Sequence, residues 1–311
     1  MYYPLLRARQ FELITLRELA NEGITQGYVI PILEPVKESN NNINLAYKVF
    51  EEKNQPIYLI VNPTVGEIDG DNSYILNYIE PLNNNIIKPA FYYHNNARYI
   101  KESIRDYSLK DCMLICQNNI NSENTEFRKL AGLDEITAIN VEDPGRNRSL
   151  DRFIRSLVKT YIRLDDLFEK QARNSDFLNM EQHRFSEEHL YYDEEGYNGF
   201  SDYTVLPSEF SDGGSTPRAV VIHLTYLDVE DQIWIRHFTS ETNDSIANVQ
   251  GKFAEASKKA VNYCRQNKLT NSAIQELEKY YDEEHYPGLG TVKKISIKNH
   301  ILIVSQFLAN R

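Results

Sequence analysis

Cysteine is scarce in this chain of 311 residues, which contains only Cys112, Cys116 and Cys264. An odd and low number of cysteines does not provide the disulfide framework of a small secreted domain, and it is typical of a reducing compartment. Cys112 and Cys116 lie four positions apart in an apolar run, a spacing that places both side chains on one face of a strand. We therefore expect buried structural thiols and not a metal site.

The chain also lacks long hydrophobic runs. Because no stretch of about 18 apolar residues occurs, the sequence predicts no membrane span. The opening residues, MYYPLLRARQFE, carry a proline and charged side chains where a signal peptide needs an apolar segment. We expect a soluble protein of the cytoplasm.

Basic residues are outnumbered by acidic ones, with 34 Lys and Arg against 45 Asp and Glu and a formal net charge of −11. Binding to duplex nucleic acid requires a basic surface, so this balance argues against nucleic acid as a partner. It remains compatible with a local basic pocket for a small phosphorylated ligand. The hydrophobic content of 41% is enough for a folded core and excludes a disordered chain.

Familiar catalytic motifs are missing as well. The sequence contains no P-loop, no GxSxG, no HExxH and no CxxC pair, each of which fixes a nucleophile, a phosphate or a metal through a set spacing. Whether the chain is an enzyme must therefore be inferred from where its polar side chains fall in the fold.

What the sequence does contain, over residues 1–176, is an alternation of short apolar runs with helical patterns. The apolar runs are residues 2–6, 28–33, 57–61, 86–93, 112–116, 136–141 and 160–164. Continuous apolar strands, each followed by a helix, are typical of a parallel sheet that is buried on both faces. Seven or eight such units predict an α/β fold, a modified (β/α)8 TIM-like barrel, with an open doubly wound sheet as the alternative.

The second half of the chain departs from this rhythm. Residues 177–198 are polar and rich in Glu and Tyr, and we interpret them as an irregular insertion or a short helix. Residues 203–206 resemble a strand, and residues 219–226 and 232–238, joined by LDVED, predict an antiparallel hairpin. Helical stripes then continue to the end. We expect one barrel-like domain over 1–311, with regular units in 1–176 and the hairpin and terminal helices in 199–311.

Three short segments carry a family resemblance. The opening, with Pro4, Arg7, Arg9 and Glu12, is followed by the strand Pro31–Glu34. This pattern resembles the start of the beta-protein family, which is named for a phage T4 beta protein and is found widely in bacteria.

The other two segments lie in the second half of the chain. Gly199–Tyr203 matches a Gly-Phe-x-Asp-Tyr segment of that family. Val292–Ile301 corresponds to a segment with a tryptophan, an arginine and paired histidines, of which this chain retains only His300. The resemblance implies a barrel-like α/β fold and no established activity. It also suggests a part in phage–host conflict and work beside a second protein.

In a parallel barrel, functional side chains gather at the C-terminal ends of the strands. The residues at these ends are mostly ionisable: Arg7, Glu34, Asn62, Tyr93 or His94, Gln117, Glu142 or Asp143, and Asp165 or Asp166. The hairpin region adds Asp202 and His223. We predict a pocket there, lined by Arg7, Glu34, Asp202 and His223.

These residues suit an enzyme that acts on a phosphate ester or a nucleotide. The predicted catalytic residues are Glu34, Asp202 and His223, the last as a general acid or base because its pKa lies near the working pH. The predicted ligand-binding residues are Arg7, Arg9, Asn62 and Asp165, in which the two arginines clamp a phosphate.

Two further features would serve the same chemistry. The carboxylates of Glu34, Asp165 and Asp202 would suit a divalent cation such as Mg²⁺, which prefers oxygen ligands. Glycines at 199, 213 and 214 would let a loop approach a phosphate.

Simpler interpretations of the same residues stay open. Arg7 and Glu34 would also form a buried ion pair, His223 would serve as a hydrogen-bonded core histidine, and Asp202 would suit a turn. The alternative function is a non-catalytic protein that senses a ligand or binds a second protein. Tyr-rich acidic stretches at 181–195 and 280–284 would suit such an interface.

Overall fold

The computed structural model describes residues 1–213 and 217–311, and within them eight strands form a parallel sheet in chain order. The strands are β1 (Leu5–Leu6), β2 (Ile32–Leu33), β3 (Ile57–Ile60), β4 (Ile87–Tyr93), β5 (Cys112–Cys116), β6 (Ile136–Glu142), β7 (Thr160–Asp165) and β9 (Gly199–Asp202). Each strand pairs with the next in parallel register.

The last strand of this sheet returns to the beginning of the chain. A parallel bridge joins Tyr2 to Phe200, and the backbone N–H of Tyr3 donates to the carbonyl of Phe200 at 2.8 Å. The sheet is therefore nearly closed into a barrel, which confirms the predicted fold class.

Side chains alternate between the two faces of each barrel strand. One set, including Leu5, Ile32, Ile60 and Met113, fills the barrel interior. The other set packs outward against the helices, and Cys112 and Cys116 belong to it as buried free thiols. Alternate positions along a strand therefore place their side chains either in the barrel interior or against the helical layer.

Helices follow the strands on the outside of the barrel: α1 (Gln10–Glu22), α2 (Asn41–Glu52), α3 (Tyr74–Ile79), α4 (Ala97–Asp106), α5 (Thr125–Ala131) and α6 (Arg148–Arg155), with a 3₁₀ turn at Pro144–Arg146. Asn124 and Asn147 cap α5 and α6, since their side-chain oxygens accept the first backbone N–H groups.

The described part of the chain forms a second sheet with three antiparallel strands in the order β10–β11–β8. Its strands are β8 (Gln182–Ser186), β10 (Val221–Leu227) and β11 (Ile233–Thr239). The predicted hairpin, β10 with β11, is confirmed. Residues 177–198 are not wholly irregular, because β8 pairs with β11 there. The strand expected at 203–206 is wrong, since the barrel strand ends at Asp202 and Thr204 adopts a positive φ of 57°.

The remaining helices surround this small sheet: a 3₁₀ helix Asn174–Leu178, α7 (Glu188–Tyr191), α8 (Val249–Asn267), α9 (Ser272–Asp282) and α10 (Leu289–Asn310). The Tyr263 ring of α8 packs on Tyr226 and Phe238, on one face of the sheet. On the other face, Asn299 of α10 donates to the carbonyl of Thr225 at 2.9 Å. Among the helices so described, none is both long and apolar enough to cross a membrane.

Candidate functional site

Arg7 and Glu34 meet at the mouth of the barrel. Each lies two positions beyond an interior residue of β1 or β2, so both side chains point inward. The guanidinium of Arg7 forms an ion pair with the carboxylate of Glu34, which is fully buried. Glu34 also accepts hydrogen bonds from the backbone N–H of Thr64 at 2.8 Å and from the hydroxyl of Tyr92 at 3.1 Å. These donors offset the desolvation of a buried carboxylate.

A stretch of chain after β9, residues 204–213, lies across this mouth, and we call it the cover segment. Arg7 donates to the backbone carbonyl of Ser208 at 2.6 Å. Arg9 donates to the carbonyl of Ser211, and its guanidinium lies 4.7 Å from the centre of the Phe210 ring. Both arginines predicted to clamp a phosphate therefore hold the cover segment in this structure.

Asn62 holds two barrel strands together. Its side chain accepts the backbone N–H of Tyr92 at 2.9 Å and donates to the Tyr92 carbonyl at 2.9 Å and to Asp71 at 3.0 Å. These contacts join the end of β3 to β4. In the structure, the side chain of Asn62, which was predicted to bind a ligand, therefore bonds the neighbouring strand.

Asp165 and Asp202 point away from the mouth, because each follows a residue that faces the interior. The carboxylate of Asp165 pairs with Arg163 at 2.7 Å, and burial raises the pKa of Asp165. Asp202 accepts the Tyr2 hydroxyl at 2.6 Å and lies 3.3 Å from Nε2 of His300. In the predicted pocket, Arg7 and Glu34 are therefore brought together, whereas Asp202 is not among them.

The divalent cation site expected from Glu34, Asp165 and Asp202 does not fit this arrangement. Glu34 faces the barrel mouth, and the two aspartates face the helical layer. Within residues 1–213 and 217–311, no group of three His, Cys, Asp or Glu side chains is arranged to hold a metal ion.

The glycines predicted to approach a phosphate have other surroundings. A Cβ atom at Gly199 would lie 2.6 Å from the Tyr3 ring and 2.7 Å from the carbonyl of Met1, so glycine is needed there for barrel closure. Gly213 adopts a positive φ of 90° in the cover segment. Gly214 lies outside the described residues.

A buried polar network surrounds Asp202. His300 contacts the hydroxyl of Thr225 through Nδ1 at 3.3 Å, and Asn299 donates to the carbonyl of the same residue. Tyr2, Asp202 and His300 come from the three segments that carry the family resemblance. The structure brings these segments together in the interior, where His300 is fully buried.

His223 lines a cavity of about 380 Å³ beside the barrel mouth. The cavity lies between the start of the cover segment, the small sheet and the first turns of α10. Its walls include two aromatic rings, two lysines and an imidazole: Phe168, Phe177, Lys170, Lys293 and His223.

The cavity and the barrel mouth are linked by one carboxylate. Glu12 accepts a hydrogen bond from Lys293 at 2.6 Å and, through its other oxygen, from the backbone N–H of Arg7 at 2.7 Å. His223 is therefore separate from the Arg7–Glu34 pair but lies in a space adjacent to it.

His223 belongs to a row of three histidines. Its Nδ1 lies 2.7 Å from Nδ1 of His237, and Nε2 of His237 lies 3.4 Å from Nδ1 of His183. Burial lowers the pKa of His223 to about 3, with a smaller effect from His183. Burial, together with the two neighbouring imidazoles, lowers the pKa of His237 to about 2. Both rings are neutral near pH 7.

Sequence reasoning singled out His223 and missed its partners. In an antiparallel hairpin, paired residues are equidistant from the centre of the turn, and in the structure Leu227 pairs with Ile233, which centres the turn on residue 230 and places His223 opposite His237. The segment LDVED, residues 227–231, is centred on Val229 and would pair residue 223 with residue 235, so the hairpin segment alone does not identify His237 as the partner. His183 carries no signal in the sequence either, because it joins the group only through the pairing of β8 with β11.

The chain matches no protein-family model and no curated protein sequence. The resemblance to the beta-protein family therefore stays a prediction.

Proposed function

We propose that this protein is a phosphate-ester- or nucleotide-directed enzyme and that its ligand binds in the cavity beside the barrel mouth. One observation supports the proposal above the others: two aromatic rings, two lysines and the imidazole of His223 line the same cavity. Its volume of about 380 Å³ lies in the range of small-molecule sites, roughly 300 to 1,000 Å³. The rings of Phe168 and Phe177 suit a base, and the ammonium groups of Lys170 and Lys293 suit a phosphate.

The N-terminal end of α10 adds to the basic side of the cavity. Leu289, Val292, Lys293 and Ser296 from its first turns line the space. The helix begins after Gly288, which supplies no side chain to its first N–H groups. The N-terminus of a helix of this length carries a partial positive charge, which favours an anion. Lys293 and Lys170 now pair with Glu12 and Glu209, and a phosphate would share or replace these partners.

His223 is the group in the cavity best suited to proton transfer. Its Nδ1 is used by His237, and Nε2 has no hydrogen-bond partner among the described residues. A neutral imidazole whose second nitrogen is open can accept a proton from a bound ligand or donate one to it. This placement supports the role of His223 as general acid or base, whereas Asp202 lies in the buried network.

A second candidate is a sensor that binds the same ligand without chemistry. The observation in its favour is that Arg7 is bonded both to Glu34 and to the cover segment, so neither member of the pair is directed at the cavity. Such a protein would pass on ligand binding to a second protein. A part in phage–host conflict belongs to this proposal only through the family resemblance, as does a place in a bacterial cytoplasm.

A thermal-shift experiment tests the proposal. The wild type and the variant Lys293→Met would be heated with AMP, ATP, a sugar phosphate and inorganic phosphate, each with and without Mg²⁺. Lys101→Met, which removes a partly exposed lysine that pairs with Glu126 on the outer surface, is the matched control. Each shift is measured against the same variant without ligand.

We expect a nucleotide to raise the melting temperature of the wild type and of Lys101→Met, and to have little effect on Lys293→Met. If none of the ligands shifts the melting temperature of a folded wild-type sample, the proposal is refuted. Chromatography of the bound nucleotide after incubation then separates the enzyme, which converts it, from the sensor, which leaves it intact.

A further inference from the structure

We infer that His223, His237 and His183 form a proton relay that leads from the cavity to the carboxylate of Glu169. This inference rests on the proposed function, because it assigns a proton path to the ligand in that cavity. The path begins at Nε2 of His223, the nitrogen opposite the one that contacts His237.

Each side chain of the row contacts the next one, so the contacts form a linear chain. His223 meets His237 at 2.7 Å through their Nδ1 atoms, and Nε2 of His237 meets Nδ1 of His183 at 3.4 Å. Nε2 of His183 then lies 3.9 Å from the carboxylate of Glu169. Because the central ring of His237 uses its two nitrogens for different partners, the three rings do not converge on one point. The arrangement suits the passage of a proton and not the binding of a metal ion.

The small sheet and two phenylalanines fix the row. Strand register places His223 opposite His237, and His183 lies on the next strand. The ring of Phe177 lies 5.0 Å from the His223 ring and 4.4 Å from the His237 ring, and Phe168 lies 5.1 Å from His223. These rings cover His237, which is 3% exposed, so the imidazoles themselves provide the path.

The outer end of the row is also suited to proton release. Nε2 of His183 is buried and has no hydrogen-bond partner among the described residues. Glu169 is more than half exposed, so its side chain has room to rotate, and the relay requires that rotation to shorten the 3.9 Å separation to a hydrogen bond. The relay thus ends at a carboxylate in contact with solvent.

One proton passes from the ligand to Glu169 through four coupled transfers. At the start, His223 carries its proton on Nδ1, and His237 and His183 carry theirs on Nε2. When Nε2 of His223 takes a proton from the ligand, Nδ1 of His223 gives its proton to Nδ1 of His237. Nε2 of His237 gives its proton to Nδ1 of His183, and Nε2 of His183 gives its proton to Glu169. One proton has moved from ligand to carboxylate, and each imidazole is neutral in the other tautomer.

The surroundings of the three histidines favour a concerted transfer over one in which an imidazole holds an extra proton as an imidazolium. Lys170 and Lys293 line the cavity at one end, and Glu169 lies at the other. Burial lowers the pKa of His223, His237 and His183, so an imidazolium is unstable at each position. A path through neutral tautomers avoids that intermediate.

Nitrogen NMR of the full chain tests the relay. The seven histidines would be labelled with ¹⁵N and assigned by single substitutions, and long-range proton–nitrogen correlations at pH 7 would report the tautomer of each ring. Spectra would be recorded with and without AMP as the probe. His94 is an exposed histidine outside the row and serves as the internal control.

We expect only two patterns in the wild type. Either His223 is protonated on Nδ1 with His237 and His183 on Nε2, or His223 is protonated on Nε2 with His237 and His183 on Nδ1. If AMP changes the tautomer of one ring, it changes all three. A mixed pattern in either sample, or an imidazolium in the row, would overturn the relay.

His237→Phe keeps an aromatic ring in place but interrupts the row, so AMP is expected to leave His183 unchanged in this variant. If His237→Phe does not fold, His183→Phe at the more exposed end replaces it, and the linked change of His223 and His237 is then expected to be lost. Failure of AMP to shift any cavity signal would count against the proposed ligand alone, because the tautomer pattern without AMP still decides for or against the relay.

Discussion

The hydroxyl of Tyr2 donates a hydrogen bond of 2.6 Å to the carboxylate of Asp202, which lies 200 positions later in the chain. The other carboxylate oxygen lies 3.3 Å from Nε2 of His300 in α10. One side chain therefore links the start of the barrel, its last strand and the final helix. Burial and the neighbouring Asp202 raise the pKa of Tyr2, which keeps its hydroxyl protonated as a donor.

We predict that Asp202→Asn lowers stability and leaves the cavity intact. The substitution replaces a charged acceptor with a neutral one, which costs about 1.5 to 3 kcal/mol of unfolding free energy for a hydrogen bond to a charged group. Urea unfolding measures this loss. Asp193→Asn, which alters an exposed carboxylate paired with Arg311, is the control and should change little. Unchanged stability of Asp202→Asn would show that the network is not structural.

The Arg7–Glu34 pair gives a second prediction. Arg7→Met leaves the buried Glu34 charge without its cation, and such a loss typically costs about 3 to 5 kcal/mol. The double variant Arg7→Met with Glu34→Gln removes the unpaired charge, so we expect it to be more stable than Arg7→Met alone. Chemical denaturation of the single and double variants provides the comparison. A double variant that is less stable than Arg7→Met would contradict the assignment of Glu34 as a buried charge.

The cover segment gives a third prediction. Arg9→Ala removes a bond to the Ser211 carbonyl and a contact with the Phe210 ring. These contacts are exposed, so we expect a change of at most about 1 kcal/mol in global stability. Cleavage after Glu209 by a glutamate-specific protease should become faster, because local opening of the segment needs less free energy. Arg98→Ala, which breaks an exposed pair within α4, should not change the cleavage rate.

We predict that the free energy of unfolding decreases as the pH is lowered below 6.5. Burial lowers the pKa of His189 to about 4, of His223 to about 3 and of His237 to about 2, against 6.5 for free histidine. Between pH 6.5 and 4.5 the unfolded chain binds these three protons and the folded chain does not, so acid favours unfolding. Burial raises the pKa of Glu188 to about 7, so the folded state holds one proton more there and stability falls as pH rises through 7.

For these four groups, the difference between three and one is about two protons taken up on unfolding in this window. Urea unfolding at several pH values measures the slope, at about 1.4 kcal/mol per pH unit for each proton. His237→Phe should reduce it by about one proton. A slope near zero in the wild type would mean that the buried histidines are charged in the folded state.

The sequence was sufficient for the barrel where its strands are apolar and was insufficient where they are short or polar. Runs such as Cys112–Cys116 have no exposed face, and this property is visible in their composition. The closing strand, Gly199–Asp202, has four residues and includes Gly and Ser, so no pattern marks it. The strand Gln182–Ser186 owes its form to its partner β11 rather than to its own residues.

The site was predicted as far as strand order allowed. Arg7 and Glu34 follow neighbouring parallel strands, and their proximity required no further information. Asp165 and Asp202 lie one position after a residue that faces the interior, whereas Arg7 and Glu34 lie two positions after one. A difference of one position along a strand turns the side chain from the barrel interior to the helical layer. Whether the odd or the even positions of a strand face the barrel interior depends on how the sheet curves. The identity of Asp165 or Asp202 does not show on which side its strand position lies.

Closure of the ring by residues near the start and near position 200 also governs how the chain is made. At roughly 5 to 20 residues per second, synthesis of about 200 residues takes roughly 10 to 40 s, during which β1 lacks one neighbour. An unfinished sheet of this kind exposes backbone N–H and C=O groups that can pair with other chains. The yield of native protein in a cell will therefore depend on translation rate and on the chaperones that meet the nascent chain.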